Sequence, residues 1–492
     1  MRSTNLLIIM SDQHNPRVLG CAGHPQIKTP YLDRLAARGT RFASAYTNCP
    51  ICVPARASFA TGRHVHEIRY WDNAIAYDGR VPSWGHRLMG QGHWVTSIGK
   101  LHYKRSEPLT NGFNEEIIPL HIAEGLGDLA GLVRDEIIVR TAARRLGPSA
   151  GPGESDYNRY DRSIVAEACG WLEREAPRRR DMPWVLYVGF VAPHPPLIVP
   201  QAFFDLYGEA AIPLPKMYAE SERPRHPFLD ALRLGRPFDE GFKGPAMVRR
   251  AIAAYYGLVS FVDRNIGQIL ETLERRGLVD STRVIYTSDH GENLGARGMW
   301  GKSTLFNESA GIPLIMAGPD IAAGRVVDTP VSLVDGFPTI LECVGAPTDP
   351  ADAGLPGTSL FEIASGAHPE RGVLSEYHAS GSITGSFMLR QGRFKYIHYV
   401  SLPPMLFDFE DDPEERHDLA ADATHLTVLA ECEAALRKSL DPEGVDRDAR
   451  ADQRALIEQM GGKEKILKRG AWTHSPPPGA KADLYEVTVK RR

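Results

Sequence analysis

No stretch of this 492-residue chain stays apolar for the roughly 20 residues that a membrane-spanning helix needs. The first apolar run covers only 6–10 before Ser11 and Asp12, too short for the core of a signal peptide. The expectation is a cytoplasmic protein with no membrane partner. Cysteine is scarce: six residues, at 21, 49, 52, 169, 343 and 432, are scattered along the chain and read as reduced thiols, not a disulfide framework. An excess of one charge is missing too. With 57 basic against 61 acidic residues the formal net charge is −4, which leaves no case for nucleic acid or anionic lipid as a partner. A small anionic ligand would have to be captured by local cations. Internal repeats are also absent.

What is present fits a globular protein, at 42% apolar and 24% charged residues. The length exceeds one ordinary core and implies a large domain plus a smaller one. Short apolar runs at 6–10, 94–98, 184–190, 284–287 and 313–316 alternate with helical patterns at 31–38, 165–175 and 248–276. That alternation predicts an α/β fold: a large, mostly parallel sheet sandwiched by helices. Segments 146–158 and 205–247 are rich in Gly, Pro and charge, and read as surface excursions over a site. From about 366 the pattern changes to short strands at 373–377, 386–389 and 394–399, with Gln391-Gly392 at a hairpin turn and a helix at 426–440. The chain therefore divides into 1–365 and a smaller C-terminal α+β domain, 366–492, carrying an antiparallel sheet. Its tail, from Ala471, holds Ser475-Pro476-Pro477-Pro478-Gly479 and either frays or wraps a neighbouring surface.

The unusual residues fall just past the strands. Asp12 and Gln13 follow the first, Lys100 and His102 the second, His194 the third, Asp289 and His290 the fourth. In an open α/β sheet ligands bind beyond the carboxyl ends of the strands. Singly, each residue has another reading: Asp12 and Asp289 as helix N-caps, His194 as a loop residue between prolines, Lys100 as a solvated lysine. Together, Asp12, Gln13, Asp289 and His290 make a divalent-cation site, whose oxygen donors suit Ca²⁺, Mg²⁺ or Mn²⁺. Lys100, His102, His194 and Lys302 would neutralise an anion bound to that metal.

Cys49-Pro50-Ile51-Cys52-Val53-Pro54-Ala55-Arg56 leads into a helix start, with Pro54 near its first turn. A Cys49–Cys52 pair for redox chemistry or zinc is one reading, and a buried structural thiol another. Neither accounts for Pro54 and Arg56 at these offsets. Cys52-x-Pro54-x-Arg56, followed by Thr61-Gly62-Arg63, resembles the signature of formylglycine-dependent sulfatases of the alkaline phosphatase superfamily. The resemblance extends to Lys28-Thr29-Pro30-Tyr31-Leu32-Asp33-Arg34-Leu35, to Gly99-Lys100-Leu101-His102, to Thr287-Ser288-Asp289-His290-Gly291-Glu292 and to Trp300-Gly301-Lys302. Ala55 departs from the commoner Ser. Gln13 and His290 stand where many arylsulfatases carry Asp and Asn, and resemble the choline-sulfatase and phosphonate-monoester-hydrolase branch. In that branch sulfatases present Lys and His where phosphonate hydrolases carry Tyr and Thr, and this chain has Lys100 and His102.

The resemblance implies an alkaline-phosphatase-like fold and hydrolysis of an aryl or alkyl sulfate monoester; the alternative is a phosphonate monoester or phosphodiester hydrolase. It implies that a formylglycine-generating enzyme oxidises Cys52 to formylglycine, and that one divalent ion, Ca²⁺ or Mn²⁺ ahead of Mg²⁺ or Zn²⁺, is bound by Asp12, Gln13, position 52, Asp289 and His290. A hydroxyl of the aldehyde hydrate would attack sulfur, with Lys100, Lys302 and Arg56 spreading the charge. His194 would protonate the leaving alcohol, His102 would hold the other hydroxyl, and Asn73 in Trp71-Asp72-Asn73 would contact the anion. A homo-oligomer, dimer or tetramer, is expected, with the Pro-rich tail as its contact.

Overall fold

The computed structural model describes residues 3–105, 110–179, 181–472, 474–481 and 483–490. Eight strands form the large sheet: β1 (Asn5–Asp12), β2 (Gly39–Phe42), β3 (Val95–Lys100), β4 (Glu115–Leu120), β5 (Val185–Pro193), β6 (Thr282–Ser288), β7 (Leu314–Ala317) and β8 (Arg325–Val327). Their spatial order is β8-β2-β7-β6-β1-β5-β3-β4. Only β7 runs antiparallel to its neighbours, β6 and β2, so the sheet is mostly parallel, as expected.

β1 is apolar along nearly its whole length because both of its faces are covered. Successive side chains point to opposite faces. Leu6, Ile8 and Met10 enter one core with Phe59 of helix α2 (Cys52–Thr61) and Ile340 of helix α5 (Gly336–Val344). Leu7 and Ile9 enter the other, with Ile164 and Trp171 of helix α3 (Asp156–Arg174) and Ile266 of helix α4 (Pro245–Arg275). Helix α1 (Pro30–Ala37) adds Leu32 and Leu35 to this second core. Each fully buried Leu or Ile contributes about 1.5–3 kcal/mol relative to exposure.

Beyond the sheet, β9 (Gly372–Tyr377), β10 (Ser386–Gln391), β11 (Phe394–Tyr399) and β12 (Leu402–Asp408) form an antiparallel meander. Gln391 pairs with Phe394, so the tight turn is Gly392-Arg393, one residue later than the expected Gln391-Gly392, and Gly392 takes φ +52°. Helix α6 (Leu426–Ser439) covers this sheet, and α7 (Pro442–Gln459) and α8 (Lys463–Arg469) follow it.

Two expectations change. The segment 146–158 is not all excursion, because 156–158 form the first turn of α3, capped by Ser155, whose Oγ accepts from the Asn158 amide. Within 205–247, Pro227–Gly235 is a helix whose Phe228, Leu229 and Leu232 are buried. For the tail, the described residues follow the second of its two readings and wrap another surface. Ala471–Trp472 pairs with Leu484–Tyr485, and Val487–Lys490 pairs antiparallel with Ile137–Arg140, so the tail's strand contacts are with its own chain. Among the described residues no helix is long and apolar enough to cross a membrane.

Candidate active site

Four neighbouring strands, β6, β1, β5 and β3, run parallel, so their carboxyl ends share one edge. Asp12 is the last residue of β1, inside the ladder and not beyond it. Asp289 follows β6 directly. Helix α2 brings position 52 to the same edge: Cys52 is its first residue, and Asn73 Oδ1 accepts the Val53 amide at 3.1 Å in place of a local cap. Ligand atoms of Asp12, Cys52, Asp289 and His290 all lie within 4.8 Å of one another. The Cys52 Sγ stands 3.2 Å from His290 Nε2 and 3.8 Å from Asp12 Oδ1.

The donor set fits a divalent cation. His290 Nδ1 hydrogen-bonds the Gly291 carbonyl at 2.9 Å, so that nitrogen carries the proton and Nε2 keeps its lone pair for a metal. Burial holds the His290 imidazole down to about 4, outweighing the pull of Asp289, and so neutral at physiological pH. Gln13, at φ +69°, donates through Nε2 to Glu292, while its Oε1 is buried without a hydrogen-bond partner among the described residues. A buried amide oxygen left in this state is costly unless something accepts its lone pairs, and a cation does.

Basic groups surround the carboxylates. Lys100 Nζ lies 2.6 Å from Asp12 Oδ2, both fully buried. Lys302 Nζ is 2.9 Å from the Cys52 Sγ. Burial alone would raise the Asp12 carboxyl, but Lys100, Lys302 and Arg56 together hold it well below the usual carboxylate range. Burial and Asp12 push the Cys52 thiol up to about 11. Arg56 is placed differently from the sequence expectation. Its Nε donates to Asp289 at 2.8 Å, Nη2 to Asp12 at 3.3 Å, and Nη1 to the Lys100 carbonyl and the Tyr187 hydroxyl at 3.1 Å each. Four of its five N–H donors are engaged behind the carboxylates and it does not line the cavity that opens onto position 52, so its hydrogen bonds position the carboxylates.

Residues 4–346 match the family model described as Sulfatase. The chain belongs to the sulfatase family. Residues 295–441 also match the model described as N-sulphoglucosamine sulphohydrolase, C-terminal. The choline-sulfatase of Rhizobium meliloti (strain 1021) is 31% identical over 489 residues, covering 96% of this chain and 93% of the relative. Arylsulfatase K of Homo sapiens is 29% identical over 452 residues, covering 87% and 80%. The crystal structure of the phosphonate monoester hydrolase of Agrobacterium radiobacter superposes with a TM-score of 0.73 at 26% identity, covering 92% and 96%. The chain is thus a sulfuric ester hydrolase of the branch that holds choline-sulfatase and phosphonate monoester hydrolase. Sulfatases generally use a divalent metal and formylglycine, and the cluster at Asp12, position 52, Asp289 and His290 is where this sulfatase could hold the ion.

A cavity of about 400 Å³ opens onto position 52, and Gln13, Asn73, Lys100, His102, His194 and Lys302 all line it. Both ring nitrogens of His102 are buried without a partner among the described residues, and the residue sits at φ +56°. Burial, then Lys100 and Arg56, holds its imidazole well below the ordinary histidine value. His194 Nδ1 hydrogen-bonds the Pro195 carbonyl at 2.6 Å, and burial with Lys302 likewise keeps the ring neutral.

Several contributors escape sequence reasoning. Glu292 holds the Gln13 amide, and its place two residues after His290 was the available signal. Asp161 of α3 accepts the Val191 and Ala192 amides at 2.8 and 2.9 Å and so anchors the strand end before His194. Tyr187, on β5, donates no sequence signal at all. Trp472, His474 and Tyr485 bring the tail into the cavity wall, where composition alone gave no hint of a site.

Proposed function

We propose that this sulfatase hydrolyses an aryl or alkyl sulfate monoester to alcohol and sulfate, with a formylglycine made from Cys52 by a formylglycine-generating enzyme and one Ca²⁺ or Mn²⁺ ion. The observation that carries this reading is position 52 itself, buried among Asp12, Asp289, His290 and Lys302 at the sheet edge. Asp12, Gln13, Asp289, His290 and position 52 would hold the ion. When present, the ion and the hydrated aldehyde supply Lewis-acid polarisation and an oxygen nucleophile.

The chain's own residues do the rest. Arg56 fixes both metal-facing carboxylates in one orientation. Lys302 and Lys100 offset negative charge on the transferred group, in a site dry enough for that electrostatic term to count. His194, oriented by Pro195, presents Nε2 to the leaving oxygen and gains its proton as an anionic ester enters. His102, with both nitrogens unpartnered in the wall, accepts a hydrogen bond from the group at position 52 through its unprotonated nitrogen. Asn73 keeps the start of α2 in register through the Val53 amide and leaves its NH₂ for an anion.

The likeness to a phosphonate monoester hydrolase supports a second reading, cleavage of phosphonate monoesters or phosphodiesters at the same site. Lys100 and His102 resemble the sulfatase side of the branch and favour sulfate. The choline in the name of one relative is one candidate alcohol, and the charge of the cavity weighs against it. The deciding measurement is kcat/KM for 4-nitrophenyl sulfate against 4-nitrophenyl phenylphosphonate. A larger value for the sulfate is expected; a larger value for the phosphonate overturns the reading.

A further inference from the structure

The cavity beyond position 52 is walled by the 142–149 segment, by Arg236 and Phe238, and by the tail residues Trp472, His474 and Tyr485. Its charge is uneven. Of the acidic residues that line it, Asp128 is already held by Arg140 at 2.6 Å, and Glu486 is exposed at the rim. Two arginines are left over. Arg236 is half-buried and donates to the neutral Ser303 Oγ at 2.6 Å. Arg145 is exposed at the mouth, with its guanidinium 4.9 Å from the centre of the Tyr485 ring. Neither has a carboxylate partner among the described residues. A half-buried guanidinium such as that of Arg236 is unfavourable without a counter-ion, and a ligand that brings the counter-ion is bound for that reason.

Two aromatic groups of the same wall, Tyr485 and Trp472, already face cations of the chain itself. Arg145 covers Tyr485, and the Arg469 guanidinium sits 5.5 Å from the Trp472 ring centre. A quaternary ammonium is held by open aromatic faces or a free carboxylate; here these two faces and Asp128 are already taken by arginine, and the remaining lining carboxylate, Glu486, is exposed at the rim.

Resting on the sulfate-ester reading above, we propose that the alcohol half of the substrate carries a second negative charge, a carboxylate or another sulfate, and that Arg236, with Arg145 outside it, reads that charge. Arg236 is hydrogen-bonded to Ser303, the residue beside Lys302, so the second anion is recognised next to the group that faces position 52. The guanidinium fork suits either anion, since carboxylate and sulfate both offer two oxygens in a plane.

The test uses the matured full chain and four aryl sulfates whose para substituent is a carboxylate, a second sulfate, a carboxamide or a trimethylammonium group. The carboxylate or disulfate ester is expected to exceed the carboxamide by about ten-fold in kcat/KM, the order of one charge-assisted hydrogen bond. Whichever of the two is higher identifies the anion. In Arg236→Gln that ratio is expected to fall to about unity, and in Arg145→Gln to fall part of the way. Equal rates for all four esters, preference for the trimethylammonium ester, or an unchanged ratio in both variants overturns the inference. Calorimetric binding of 4-hydroxybenzoate against 4-hydroxybenzamide reads the same selectivity without turnover. If no sulfate ester is cleaved but 4-hydroxybenzoate still binds the more tightly and Arg236→Gln removes the difference, the inference stands and the sulfate reading fails.

Discussion

Arg56 stands one helical turn after Cys52, on the same face of α2, and that spacing is all the sequence offers about its aim. Where its guanidinium ends depends on β1, β3, β5 and β6 together, since Asp12, the Lys100 carbonyl, Tyr187 and Asp289 each take one of its hydrogen bonds. Such a residue acts through the carboxylates it orients. Arg56→Lys keeps the charge and loses the fork. Its affinity for the divalent ion is expected to fall about 10–100-fold, the usual effect of losing an outer partner of a metal ligand. Calorimetric titration with Mn²⁺ checks this, on protein whose position 52 has been assayed by mass because Arg56 also lies in the maturation signature. Wild-type affinity in Arg56→Lys would show that the carboxylates need no such brace. The ligands themselves were legible as residue types at strand ends. The orphaned Gln13 Oε1 and the neutral, Nδ1-protonated His290 were not, because both depend on partners that only the fold supplies.

At the level of elements, helix α1 begins at Pro30 with Thr29 making no side-chain cap. Asp263, from the middle of α4, accepts the Leu32 amide at 2.8 Å and the Tyr31 amide at 3.2 Å, and so caps α1 from a neighbouring helix. Burial raises the Asp263 carboxyl to about 7, against the helping amides. A raised folded value means that folding takes up a proton between the unfolded and folded values, so this group's contribution is largest at low pH and falls as pH rises towards 7. Asp263→Asn keeps one acceptor and has no charge to bury. Its stability deficit relative to wild type, read from urea midpoints, is therefore expected to be smaller at pH 8 than at pH 5. A deficit that grows with pH contradicts the assignment. The central strands β1, β3, β5, β6 and β7 could be placed from their apolar runs to within a few residues. Gly39–Phe42 and Arg325–Val327 could not, since such short, mixed segments become strands only by pairing with each other beside β7. The start of α3, 156–164, lay outside the helical pattern read at 165–175, behind the Gly- and Pro-rich sequence that leads into it.

Across the whole molecule, the C-terminal sheet is tied to the catalytic part by buried charge. Lys395 of β11 pairs with Glu415 at 2.7 Å, both fully buried, and Glu415 accepts the Asn307 amide at 2.7 Å. Arg297 pairs with Glu308 at 3.0 Å and donates to the Glu414 and Glu415 carbonyls at 2.9 Å each. Removing one partner of such a buried pair typically costs about 3–5 kcal/mol, so the two parts are held in one arrangement. This junction lets a tail from the far end of the chain finish the cavity wall at the first strand's edge. Nothing in a Pro-rich composition could have revealed that return, because it rests on pairing with Ile137–Arg140 and on the Tyr157 hydroxyl donating to the Ser475 carbonyl at 2.6 Å. The central claim, an oxygen nucleophile made from the buried thiol of Cys52, is tested most directly by the mass of the peptide that carries this position, taken from protein that releases sulfate. An aldehyde is expected, with sulfur exchanged for oxygen and two hydrogens lost. A fully active preparation in which the peptide is a thiol throughout contradicts it.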